Sequence, residues 1–189
     1  MDSQFVKGEL RSFLTELKLI TAKESDDREI LKRVAPLAKG MSKDRDWIEE
    51  GFYKRDETSG YGVTVLLEEE NLYVIVVCWP PGQDVTPHDH QTWAVVAGID
   101  GVEKNQLWRR TDDGSRPGYA EVELQSEVQV GPGDTCLMLP DDIHSVLNDT
   151  DKPTLSLHVY GKVLGDTRRN EYEPDKDLVR THPQTTRIS

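Results

Sequence analysis

From residue 51 to about residue 164 the chain consists of short β-like runs separated by Gly, Pro, Asn and Asp. This restricts the fold more than any other feature of the sequence. The runs cover 62–67, 72–79, 92–97, 102–109, 119–124, 127–130, 135–139, 145–147 and 154–160. Between them stand the breakers Pro80–Pro81–Gly82, Asp112–Asp113–Gly114, Arg116–Pro117–Gly118, Gly131–Pro132–Gly133–Asp134 and Pro140–Asp141–Asp142. Many short strands with regular turn signals predict a β-sandwich or a barrel. No internal repeat of fixed period is present.

The first fifty residues follow another pattern. Phe5, Leu10, Phe13, Leu14, Leu17 and Ile20 recur at spacings of mostly three to five, which makes one apolar stripe of a helix. Ser25–Asp26–Asp27 is a start signal for a second helix, with Ile30, Leu31, Val34, Leu37 and Ala38 on its inner face and Gly40 as its stop. A third short helical stretch is expected around Trp47 and Ile48. The end of the chain is polar, with Pro174, Pro183 and many charges, and reads as a tail draped on the barrel or disordered. The expected division is a helical segment over 1–50, a barrel over 51–164 and a tail over 165–189.

A length of 189 residues suits one domain that buries a core without metal or disulfide staples. With 23 Lys and Arg against 35 Asp and Glu the net charge is −12, which opposes nucleic acid or an anionic membrane as partner. The longest apolar run, Val74–Trp79, is too short to span a bilayer. Cys78 and Cys136 lie in apolar runs and read as buried thiols. Without an evident export signal they point to the reducing cytoplasm. Nothing in the sequence speaks to oligomeric state.

Five histidines are present, and two of them form His88–Asp89–His90. Residues i and i+2 of a strand share a face, so two imidazoles can offer their nitrogens to one divalent transition metal. His88 follows Gly82 by six residues. His144 comes after Pro140–Asp141–Asp142–Ile143 and stands four residues before Asn148. This two-part layout resembles that of the cupins, all-β double-stranded β-helix (jelly-roll) barrels. The resemblance implies that His88, His90 and His144 converge on one metal. Where many cupins carry a glutamate as fourth ligand, this chain has Ala94 and Val95. Three neutral ligands leave an M²⁺ ion its full charge and open positions, which favours an anionic ligand such as a thiolate.

Within that fold the chain resembles the thiol dioxygenases, cysteine dioxygenase and its bacterial relatives, from about Tyr61 to Leu164. Val76–Val77–Cys78–Trp79, Gly82 and His88–Asp89–His90 are similar to the family's first motif, and Ile143–His144 with Asn148 to its second. The most specific element is Ser156–Leu157–His158–Val159–Tyr160, in which alternation places Ser156, His158 and Tyr160 on one face of a strand. The resemblance implies a hydrogen-bonded relay whose tyrosine reaches toward Fe(II). It also implies a small-molecule thiol and O₂ as substrates and a sulfinate as product. Nickel or zinc are expected as alternative metals in isolated protein.

The sequence departs from the family in three ways. No cysteine stands near Val95 to cross-link the tyrosine. The strand after Tyr61 offers Val63 where relatives hold the substrate carboxylate with Arg or Gln, which leaves Arg109 or Arg110 as substitutes. The segments 94–98 and 102–110 resemble a bacterial branch described only as predicted metal-dependent double-stranded β-helix enzymes. A different metal-dependent cupin reaction, or a cupin that only binds a metal or small ligand, are the competing readings. Asp89 is expected to point away from the metal, Trp93 to line either cavity or core, Trp79 and Trp108 to be structural, Asp141 and Asp142 to shape a turn, and His182 to be uninvolved.

Overall fold

The computed structural model describes residues 3–183, with side chains from residue 8 onward. The expectations for the Phe5 side chain and for the end of the tail, 184–189, lie outside what is described. Two helices come first, α1 (Ser3–Thr21) and α2 (Asp27–Lys43). Asp26 caps α2 by accepting from the backbone N–H groups of Arg28 and Glu29 at 2.9 and 3.0 Å, which satisfies two donors of the first turn. The helix runs through Gly40 rather than stopping there, because Met41 and Ser42 continue its buried face. In place of a third α-helix the chain makes a 3₁₀ turn over Glu50–Tyr53. Trp47 is held before it by its indole N–H donating to the Met41 carbonyl at 2.8 Å.

Eleven strands follow: β1 (Gly62–Glu69), β2 (Leu72–Trp79), β3 (Asp84–His88), β4 (Ala94–Asp100), β5 (Glu103–Arg110), β6 (Val122–Val130), β7 (Thr135–Met138), β8 (Ile143–Leu147), β9 (Thr154–Tyr160), β10 (Asn170–Glu173) and β11 (Leu178–Thr181). They form two antiparallel sheets, ordered β1-β2-β9-β4-β7 and β11-β10-β3-β8-β5-β6. Ile75, Val77, Ala94, Val96, Met138 and Tyr160 of the first sheet pack with Val130 and Val146 of the second. The result is the expected double-stranded β-helix barrel of the cupin fold with N-terminal α-helices.

Alternation assigns the two faces of the first sheet. Ile75, Val77 and Trp79 enter the barrel, while Val74, Val76 and Cys78 pack on the helices with Leu17, Val34 and Ala38. A sheet covered on both faces needs apolar residues at every position, hence the unbroken run 72–79.

Three parts of the barrel differ from the sequence reading. The runs 119–124 and 127–130 join into one strand, β6, which pairs with β5 through an irregularity between Leu107 and Trp108. The expected run 92–97 shifts to 94–100, because the chain bends at Gln91 (φ 54°) before entering β4. Finally, the polar stretch after Gly82 forms β3. Of the two readings of the tail, the one draped on the barrel holds through residue 181. The tail adds β10 and β11 to the sheet edge beside β3.

Candidate metal centre

His88 ends β3, and His144 lies on β8 directly opposite it in the register of the two strands. His90 stands two residues beyond His88, just before the bend at Gln91, so a turn as well as strand alternation brings the pair together. The ring centroids lie 5.0 Å apart for His88–His90, 4.6 Å for His88–His144 and 4.9 Å for His90–His144. One nitrogen of each lies within 4.8 Å of the others. The Nε2 atoms of His90 and His144 are 3.3 Å apart. Two nitrogens bound at about 2.1 Å and at right angles around one metal stand about 3 Å apart, so the spacing fits an ion between them.

The neighbours choose the tautomers. His88 Nδ1 faces the Thr86 carbonyl oxygen at 2.9 Å, an acceptor, so it carries the proton and Nε2 keeps its lone pair. His144 Nδ1 donates in the same way to Asn105 Oδ1 at 3.0 Å. The Asn105 amide is itself oriented, because its Nδ2 donates to Glu103 Oε1 at 3.1 Å. His90 Nδ1 is buried with no hydrogen-bond partner among the described residues. Burial lowers the pKa of all three imidazoles, and the mutual repulsion of their charged forms adds to this for His90 and His144. Neutral rings with inward lone pairs are metal ligands, and this group can hold a metal ion.

Ser156, His158 and Tyr160 enter the barrel from β9, the central strand of the first sheet. The Tyr160 hydroxyl lies 2.8 Å from His158 Nδ1, and His158 Nε2 lies 2.9 Å from Ser156 Oγ. The Tyr160 ring meets His90 edge-on at 5.0 Å. Burial holds the pKa of His158 down at about 3, so its ring is neutral, and burial raises that of Tyr160, with the Glu103 charge adding. The line does not stop at Ser156, whose hydroxyl donates to Glu103 Oε2 at 2.9 Å. The sequence reading overlooked Glu103 and Asn105. They occupy alternate positions of β5 and are both buried, but the run 102–109 is polar on either phase of alternation and gives no sign of which face turns inward.

A cavity of about 550 Å³ opens onto the three histidines, His158 and Tyr160. Its walls include Tyr61, Tyr73, Trp79 and Val146, so Trp79 borders the site as well as supporting the barrel. Val63 lines it too, in keeping with the missing Arg or Gln. The expectation that Arg109 or Arg110 replaces that group is overturned. Arg109 pairs with Glu123 on the outside, and Arg110 forks onto Asp112 at 2.7 and 2.9 Å. Both lie at the last two positions of β5, where Glu123 of β6 faces the first and Asp112 in the turn that follows captures the second. Among the described residues the Lys or Arg that lines the cavity is Arg169, from the segment before β10, and its charge adds to the lowering of the His88 and His90 pKa values by burial. Asp84 and Glu171 also face this space, and Glu171 lies 2.9 Å from His182, which borders the cavity.

Asp89 points away from the metal ligands, as expected, yet it is buried. It accepts from Asn170 N at 3.0 Å, Asn170 Nδ2 at 2.6 Å and the Tyr172 hydroxyl at 3.0 Å, which ties β10 to the ligand segment. Trp93 packs in the core beneath the helices, where it closes on Gly161. A Cβ on that glycine would stand 2.4 Å from the indole nitrogen, so only glycine fits as the chain leaves Tyr160. Trp108 donates to Ser145 Oγ at 3.0 Å, and Asp142 accepts from Leu139 N at 2.7 Å in the turn before β8.

No protein-family model matches the chain. Among solved structures it is similar to an uncharacterised conserved protein with a double-stranded β-helix domain from Klebsiella pneumoniae, at 19% identity over 61% of this chain and 83% of that one (TM-score 0.45). It is also similar to a sugar phosphate isomerase of the cupin superfamily from Silicibacter pomeroyi, at 20% identity over 64% and 69% (TM-score 0.46). KdgF from Halomonas sp. matches at 15% identity over 58% and 86% (TM-score 0.45).

Proposed function

We propose that the protein is a non-haem Fe(II) thiol dioxygenase that adds both atoms of O₂ to the sulfur of a small thiol to give a sulfinate. The observation that carries this reading is the unbroken line Ser156–His158–Tyr160, ending beside three neutral histidines that have no carboxylate among them. His88, His90 and His144 would hold the metal. When bound, the ferrous ion supplies the site where thiolate and O₂ meet and the electrons pass from sulfur to oxygen. The reaction balances as thiol plus O₂ giving sulfinate plus one proton, with sulfur oxidised by four electrons and O₂ reduced by four, so no outside reductant is required.

The protein's own residues do the rest. Thr86 and Asn105 keep the imidazole lone pairs turned inward. Tyr160 presents its hydroxyl to the reacting atoms, held in place by His158 and, behind it, Ser156. Tyr61, Tyr73 and Val146 give the cavity an apolar stretch of wall beside the histidines, where the carbon chain of a small thiol can rest. Arg169 gives the substrate's other end a cation, so a mercapto-acid, with a carboxylate at one end and a thiol at the other, is the proposed substrate class.

The deciding experiment is anaerobic loading with ferrous ion, followed by O₂ uptake with 3-mercaptopropionate, cysteine and cysteamine and detection of sulfinate by mass. Stoichiometric O₂ uptake and a sulfinate from at least one thiol are expected. Metal binding without O₂ uptake on any of them would leave a cupin of another reaction, or one that only binds its metal.

A further inference from the structure

Glu103 is a carboxylate enclosed in the barrel, 1% exposed, and no Lys or Arg among the described residues neutralises it. Two lines of hydrogen bonds meet on it. One comes from the ligand His144 through Asn105 to Oε1, and the other from Tyr160 through His158 and Ser156 to Oε2. Serine and a neutral imidazole can each donate and accept, so the second line can run in either direction, and whatever fixes its inner end fixes the outer one.

An ionised carboxylate only accepts. Ser156 then donates to Glu103, its oxygen accepts from His158 Nε2–H, and His158 Nδ1 accepts the proton of Tyr160. The tyrosine shows the cavity only its lone pairs. A protonated Glu103 donates to Ser156 Oγ instead. Ser156 then donates to His158 Nε2, the imidazole carries its proton on Nδ1 and gives it to the tyrosine oxygen, and the Tyr160 O–H is free to donate into the cavity. The two states differ in the positions of protons, and the heavy-atom hydrogen-bond partners stay the same.

We infer that Glu103 is a positioning residue that decides, by its protonation, whether Tyr160 meets the cavity as an acceptor or as a donor. Burial supports a carboxyl that changes state near neutrality, since it pushes the pKa up to about 7 against the hydrogen bonds of Ser156 and Asn105. The other titratable groups facing it hold one state there. They are Cys136 from β7, whose thiol is pushed up to about 11, and His158 and Tyr160 from β9, the first held neutral and the second held protonated. Under the thiol-dioxygenase reading, on which only this consequence rests, the acceptor form suits an incoming S–H and the donor form an oxygen anion on the product side.

The test is the tautomer of His158, read by ¹⁵N NMR on the full chain carrying Zn(II) as a diamagnetic stand-in. Between about pH 5 and about pH 9 the His158 proton is expected to move from Nδ1 to Nε2 without the ring becoming charged. Glu103→Gln keeps the size and hydrogen-bond count but is always a donor toward Ser156, so His158 should stay protonated on Nδ1 throughout. Ser156→Ala should separate the tautomer from pH while leaving the Glu103 titration visible as a carboxyl band in the infrared. A wild-type tautomer that does not change across that range, or one that still switches in Glu103→Gln, overturns the inference. The signal needs no turnover: a switching tautomer with no thiol oxidised would count against the proposed reaction alone, and thiol oxidation with a fixed tautomer against Glu103 alone.

Discussion

Asn105 touches no metal position, yet its loss should be felt there. Its side chain holds His144 in the tautomer that bares Nε2, and removing such an outer partner costs roughly 10- to 100-fold in metal affinity. Asn105→Ala should weaken metal binding by about that factor in a competition titration with a chelator, with the fold retained. Tyr160→Phe makes the opposite cut. It leaves the three ligands alone and removes the one hydroxyl at the end of the relay, so metal affinity should persist while kcat falls about 10- to 100-fold, the usual cost of one hydrogen bond to a group that gains charge. An unchanged rate would remove the main support for the proposed reaction. Glu103 also enters stability. Its folded pKa lies above the unfolded value, so the folded state prefers the protonated form, and that stability is whole below about pH 4.5 and fades as pH rises to about 7. At about 1.4 kcal/mol per unit the penalty reaches about 3–4 kcal/mol. Glu103→Gln, which never ionises, should therefore match the wild type in urea unfolding near pH 4.5 and exceed it near pH 8. A difference that stays flat with pH would mean that the carboxyl does not titrate in this range.

At the level of elements, what the sequence disclosed depended on how much of each strand is buried. The strand 72–79 is covered on both faces and its apolar run was plain, and 154–160, buried at every position, was equally so. β3 buries one residue of its five and β6 one of its nine, so the pattern predicts no run at the first and two fragments at the second. β10 and β11, four residues each, have no apolar rhythm at all. What seats β10 is a contact with Asp89, some eighty positions earlier, which no local pattern reveals. The histidine ligands were legible because their spacing is local. Arg169 was not, because its place beside them follows from the pairing of Glu171 with His88 at the sheet edge. That pairing gives a further expectation. Asn170→Ala combined with Tyr172→Phe removes the side-chain donors to Asp89, worth about 1 kcal/mol each or more where the acceptor is charged. Faster amide exchange through β10 and β11 should follow, with a raised KM for an anionic thiol and little change in kcat for a neutral one. Exchange as slow as in the wild type would mean that the backbone ladder, not Asp89, holds the segment.

Across the whole molecule, the two ends of the chain serve different faces. The helices cover the outer side of one sheet and make its interior dry, while the final strands extend the edge of the other and bring Arg169 to the cavity. The molecule carries a net charge of −12, so an anion is repelled over most of its surface, and binding a carboxylate requires a local cation close to the metal. Arg169 meets that need, whereas Arg109 and Arg110 are occupied by Glu123 and Asp112 outside. A guanidinium–carboxylate contact in a partly enclosed site is worth about 1.5–3 kcal/mol, roughly 10- to 100-fold. Arg169→Ala should therefore lower kcat/KM for 3-mercaptopropionate by about that factor and leave cysteamine, which has no carboxylate, nearly unchanged. Arg169→Lys should recover part of the loss, since it restores the charge but not the fork. The comparison of the two thiols carries the decision. A parallel fall for both would show that Arg169 supports the shape of the cavity, and the substrate's acidic end would then have to be sought at another wall of the site.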